Sequence, residues 1–361
     1  MNKVASRQSN IELLRIFAVI GVIILHLNSG AYGGGFYNAD RFTPCQFVMV
    51  LFEALTISSV DVFILISGYF MTGKKRSDLF KPLKLILNLV IIAVIVFVVQ
   101  LIISGGVSPN NHVINYIAPD YWFLFVYSGI VIFSPYINKL WGSLSNKSKR
   151  TLMLLMFLLL SVWPEIMDLL KLAGVTVISL SGDQSGYTLV NFVFLYLIGC
   201  SIKDIENNKE QASKLKSFIF PVLFVLDTAL LLASIYTEAY LRDGQPVSTV
   251  LFNYNNPLII LQAVFAFLTF RNIKCPDNKI INFIAKGVFF VYILHLRFIS
   301  WLNIPKIYID DPLMLAVFLI SMALTIFSLC IVCYIAYDFT IGKLIDKIFS
   351  KWTKHRFIEV D

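Results

Sequence analysis

The sequence predicts an all-α, polytopic integral membrane protein with ten transmembrane helices and cytoplasmic N- and C-termini. Three observations predict it. Of 361 residues, 58% are hydrophobic and 14% charged, more apolar than a soluble domain can cover. Runs approaching the ~20 apolar residues that cross a bilayer recur along the whole chain. Lys and Arg gather in every second loop, as the positive-inside rule demands.

The expected segments are 11–29, 47–70, 83–103, 121–140, 151–171, 187–202, 218–237, 251–270, 280–302 and 313–337. The sixth is short and interrupted by Asn191. Most of the 30 basic residues fall at the N-terminus, in the loops after segments two, four, six and eight, and in the C-terminal tail. The intervening loops hold only Arg41, Lys171, Arg242 and Lys306. This alternation sets the orientation and accounts for the net charge of +8 without nucleic acid. The chain divides into a membrane domain, 1–340, and a short basic cytoplasmic tail, 341–361, expected as an amphipathic helix on the inner leaflet among membrane lipids. No cleavable leader is read from the first apolar run.

The first segment, NIELLRIFAVIGVIILH, carries Glu12, Arg15 and His26. Charged groups inside a membrane are expensive and usually face the protein interior. Arg15 and His26 fall on one helix face, ~16 Å apart along the axis. Glu12, one turn before Arg15, is placed to pair with it. A packing pair plus a buried histidine is the alternative reading.

Segment two contains Glu53 and Asp61. Near mid-membrane, Asp61 either orients an imidazole or binds hydroxyls, or else it hydrogen-bonds Ser58, Ser59 or Ser67 between helices. The segment ends in SGYF with Tyr69 and runs into Lys74, Lys75, Arg76, Lys81 and Lys84. This basic cluster would attract a polyanion, although orientation alone explains a basic loop.

Asp120, Tyr121, Trp122 and Phe123 open segment four. Trp122 suits an interfacial belt or a stack on a sugar ring. Glu165 and Asp168 follow Pro164, Asp227 lies in segment seven, and Glu238, Arg242 and Asp243 fall in an outer loop. Segment nine reads GVFFVYILHLRF, with Tyr292, His295 and Arg297. His295 is expected at the depth of His26, so two imidazoles with Asp61 somewhat below would converge on one polar pocket. His112 and His355 read as surface residues.

The glycine-rich Gly30–Tyr37 follows no strand and opens no helix, which argues against a phosphate cradle. Cys330 and Cys333 sit in an apolar helix without the further ligands that zinc requires. Neither a metal site nor a permanently bound cofactor is expected, and the cysteine set suggests no disulfide framework.

Four stretches, in order, resemble the type-three membrane acyltransferase family (membrane acyltransferase family 3). They are the helix-one pattern of Glu12, Arg15 and His26; SVDVFILISGYF; YWFLFVYSGIVIFSPYIN; and GVFFVYILH. The basic loop departs from the family's closely spaced arginines, because Lys74 and Lys75 precede Arg76, and lysine lacks the bidentate fork.

The resemblance implies a standalone O-acyltransferase, without the family's extracytoplasmic hydrolase-like domain, in a bacterial inner or plasma membrane. Its donor would be cytoplasmic acyl-CoA, above all acetyl-CoA, and its acceptor a hydroxyl of a cell-envelope or lipid-linked carbohydrate, with or without polysaccharide-assembly partner proteins. Arg15, Glu12, Lys75 and Arg76 would hold the donor. His26 would act as general base or carry the acyl group, with Asp61 or His295 orienting it or binding the acceptor. Tyr69, Trp122 and Tyr292 would contact substrate. The alternatives are a glycan or small-anion transporter or flippase, and an accessory subunit of an envelope-polysaccharide complex.

Overall fold

The computed structural model describes residues 7–29, 42–104, 121–170, 184–208, 218–241, 250–302, 311–351 and 357–359. Gly30–Tyr37, His112, Asp120, Arg242, Asp243 and His355 lie outside them. The helices are α1 (Ser9–Asn28), α2 (Pro44–Thr56), α3 (Ser59–Met71), α4 (Phe80–Ser104), α5 (Trp122–Ser143), α6 (Asn146–Phe157), α7 (Trp163–Leu170) and α8 (Leu189–Asn207). They continue with α9 (Ile219–Leu241), α10 (Pro257–Asn272), α11 (Lys279–Lys286), α12 (Val288–Trp301), α13 (Pro312–Tyr337) and α14 (Lys343–Lys351).

Seven spans among the described residues are long and apolar enough to cross a membrane, or eight if α11 with α12, bent by 55°, counts as one span. The chain is therefore a multi-pass helical membrane protein. Two of the expected ten segments fall short of that standard for physical reasons. Helix α8 carries Lys203, Asp204 and Glu206 in its last turns, and α10 has only 16 residues. Residues 251–256, expected as the start of a span, form a short 3-10 turn and an asparagine-rich cap instead.

The chain forms two compact units, one of Met1–Phe70 with Arg150–Ile335, the other of Met71–Lys149 with Ala336–Asp361. In the first unit α1 is central, packing against α2, α10, α11 and α12. Of the span windows, 61% of α1 and 67% of α2–α3 are buried, against 28% of α9 and α13. The latter two helices turn Leu226, Val225, Leu313 and Val332 outward, as lipid contact requires.

Polar caps join the helices of this unit. Asn10 Nδ2 donates to the carbonyls of Phe270, Arg271 and Ile273, closing the C-terminus of α10. Asn28 Nδ2 reaches Met49 O at 2.8 Å and Glu53 Oε2 at 2.9 Å, tying the end of α1 to α2. The span formed by α2 and α3 breaks at Ile57 and Ser58, and there Gln262 Nε2 donates to Ala54 O at 2.8 Å.

A π-helical turn, Leu158–Val162, separates α6 from α7. Pro164 has no N–H to give the carbonyl of Leu160, four residues earlier. Asn255 Nδ2 donates to that carbonyl at 3.2 Å.

The second unit repeats this solution. Pro135 lies inside α5 and leaves the carbonyl of Val131 without its helical donor. Ser77 and Ser134 both donate to it. Ser77 belongs to β1 (Arg76–Asp78), which pairs antiparallel with β2 (Phe357–Glu359) in the register Arg76↔Glu359 and Asp78↔Phe357. This ribbon is the one departure from helix and turn among the described residues.

The tail helix α14 follows α13 through a π turn, Asp338–Gly342. It packs against the start of α4 through Phe349 on Phe80, ring centroids 5.3 Å apart, and through an ion pair of Asp346 with Lys84.

Candidate active site

The first turns of α1 build an ion pair. Glu12 is 5% exposed, and Arg15 Nη1 reaches both of its carboxylate oxygens at 3.2 Å. Arg7 adds a second cation at 3.6 Å. About a third of the Arg15 side chain stays exposed (31%), so its guanidinium can still meet a ligand.

About three turns further on, near the other end of α1, the His26 ring lies against His295 of α12. The ring centroids are 5.1 Å apart and the planes 45° from parallel. The separation in sequence is 269 residues, and the packing of α1 on α12 closes it. His295 is 1% exposed, and its Nδ1 lies 3.0 Å from Val291 O, one turn back on its own helix. The Tyr292 ring stands 6.2 Å from His295.

Asp61, in the first turn of α3, is fully buried. Neither carboxylate oxygen has a hydrogen-bond partner among the described residues. The expected bonds to Ser58, Ser59 or Ser67 are not formed, and Ser67 donates to Phe63 O of its own helix instead. The Tyr254 ring packs edge-on against Tyr187 at 4.9 Å.

Tyr69, at the C-terminal end of α3, lies in a different cluster. Its hydroxyl donates to Glu206 and accepts from Arg271 Nε at 3.1 Å and Lys203 Nζ at 3.3 Å. Arg271 also pairs with Glu206 at 3.0 Å, and Lys203 sits 4.6 Å over the Tyr69 ring. Two cations face one acid here, each cation about a third exposed (35% and 30%). The cluster rests on apolar side chains of α1, α3 and α10, including Leu14, Ile66 and Phe267.

Lys75, Arg76 and Trp122 belong to the second unit. Lys75 and Arg76 are exposed, Arg76 within β1. Asn138 Nδ2 shapes that turn by donating to Met71 O and Lys74 O at 2.7 and 3.0 Å. Trp122 is the first residue of α5, edge-on to Phe123 at 6.0 Å.

Sequence reasoning missed Lys203, Glu206, Arg271 and the Asn253–Asn256 turn. The first and third were read only as orientation charges. The turn carried a signal, since three asparagines before Pro257 are costly in a span unless each has a partner. Asn253 Nδ2 reaches Asp168 Oδ2 at 3.2 Å, and Asn256 Oδ1 caps α10 by accepting from Leu258 N at 2.8 Å. All five cysteines are free thiols, and no group of three or more metal-ligating side chains occurs among the described residues.

The family profile described as "Acyltransferase domain" matches residues 8–337. The chain belongs to this membrane acyltransferase family, and the resemblance read from four stretches holds over nearly its whole length. No curated protein and no solved structure matches it.

Proposed function

We propose that this acyltransferase takes an acyl group, acetyl in the first instance, from cytoplasmic acyl-CoA. It passes the group to a hydroxyl of a cell-envelope or lipid-linked carbohydrate at a bacterial cell membrane. The observation that carries this reading is the layout of α1, where an anchored but accessible guanidinium at Arg15 precedes an imidazole pair at His26 and His295 by ~16 Å along the axis. Arg15, braced by Glu12, holds the anionic donor. The imidazole pair supplies a general base or carries the acyl group. Asp61 binds or orients, and Tyr292 borders the acceptor. Lys75, Arg76, Tyr69 and Trp122 are candidate contacts for donor phosphates or sugar.

The test uses purified protein in lipid nanodiscs with radiolabelled acetyl-CoA, wild type beside His26→Ala. Wild-type CoA release, or label on the protein, should fall at least ~100-fold in the variant, the lower range for a positioned acid or base. No release and no label, even with crude envelope extract as acceptor, would end the acetyl-CoA reading. Transport of a glycan or small anion, by contrast, would persist without any acyl-CoA.

A further inference from the structure

We infer that Nε2 of His295 is the atom that takes the proton from the acceptor hydroxyl. The inference rests on the acyl-transfer reading above and assigns the base within the imidazole pair. Nδ1 of His295 lies 3.0 Å from the carbonyl oxygen of Val291, and the Tyr292 carbonyl also borders the ring. A carbonyl only accepts, so Nδ1 carries the proton of the neutral imidazole. Nε2 is then a bare lone pair.

That lone pair is buried, and it has no hydrogen-bond partner among the described residues. Buried polar atoms are nearly always paired, and an exception calls for an explanation. The hydroxyl of a bound acceptor is a donor of the right kind. The backbone bond to Val291 meanwhile fixes the ring's rotation and tautomer, as the third member of a catalytic triad does for its histidine. The His26 ring packs against the His295 ring, with centroids 5.1 Å apart.

The step balances without a co-reactant. The acceptor O–H proton moves to Nε2 as the oxygen bonds the thioester carbonyl carbon. The tetrahedral adduct then collapses, the C–S bond breaks, and the proton passes from Nε2 to the departing CoA thiolate. Ester and free CoA form, with no change of oxidation state.

The test compares His295→Asn and His295→Gln in the full-length protein in nanodiscs, with radiolabelled acetyl-CoA and envelope extract. Asparagine keeps a donor near the Nδ1 position for the Val291 carbonyl, and glutamine places an amide near Nε2; neither accepts a proton. Both should lose at least ~100-fold in kcat, with KM for acetyl-CoA within about threefold of wild type. A histidine that merely filled space and capped Val291 would be rescued by asparagine, and near-wild-type turnover of that variant overturns the proposal. Nitrogen-15 NMR of histidine-labelled wild type, with the His295 signal assigned by eliminating those of His26, His112 and His355 in single variants, reads the tautomer even if both His295 variants unfold. An Nδ1–H, bare-Nε2 ring supports the proposal, and the opposite tautomer overturns it. Wild type inactive with every acyl donor fails the acyl-transfer reading itself, a result distinct from an active wild type with an active asparagine variant.

Discussion

Arg15 closes on both carboxylate oxygens of Glu12 from one turn later on α1, at 3.2 Å each. Glu12 is buried while Arg15 is partly open, so the acid holds the guanidinium in place rather than competing for it in solvent. Hydrogen bonds to charged groups contribute about 1.5–3 kcal/mol. Glu12→Gln should therefore raise KM for acyl-CoA roughly 10-fold, with a smaller change in kcat, and Arg15→Ala should raise it further. Steady-state kinetics over acetyl-CoA concentration decides. Equal effects on kcat alone would remove Arg15 from donor binding.

Helices α3 and α8 cross at backbone contact through Gly68 and Gly199. A Cβ on Gly68 would lie 2.0 Å from the Tyr196 carbonyl oxygen, and one on Gly199 would lie 2.3 Å from that of Leu65. Small residues permit such approaches in membrane bundles. Gly68→Ala and Gly199→Ala should each destabilise the protein by at least ~1–3 kcal/mol, the usual cost of overpacking. Gly142→Ala, with nothing within 4 Å, should not. Thermal melting in nanodiscs separates them, and an unshifted Gly199→Ala melt would contradict the crossing.

Asn255 substitutes for the N–H that Pro164 lacks. Asn255→Leu leaves the Leu160 carbonyl without its donor, at a cost of ~1–3 kcal/mol. Restoring a backbone donor with Pro164→Ala in the same chain should recover part of the loss. A double-mutant cycle on melting temperature measures the coupling. Purely additive effects would show that Asn255 and Pro164 do not share this carbonyl.

The helical class and the polarity of α1 were legible because both rest on local pattern. Apolar length, the three-residue spacing of Glu12 and Arg15, and the single face shared with His26 need no tertiary information. The approach of His295 to His26 was legible only as equal depth, since pairing of α1 with α12 spans 269 residues. The ribbon of β1 and β2 was not legible at all. Three polar residues carry no strand signal until a partner some 280 residues away supplies the other half of the ladder.

The sequence by itself determined that this chain crosses a membrane as helices, that its first helix carries Glu12, Arg15 and His26, and which family it resembles. Hydrophobic length, charge placement and residue spacing act locally, so they can be read in one dimension. Only the tertiary structure decided that Asp61 has no serine partner, that Tyr69 shares its hydroxyl with Glu206, Lys203 and Arg271, and that the His26 ring lies against that of His295. Each of those depends on which buried polar group lies within reach of another, and helix packing sets that distance.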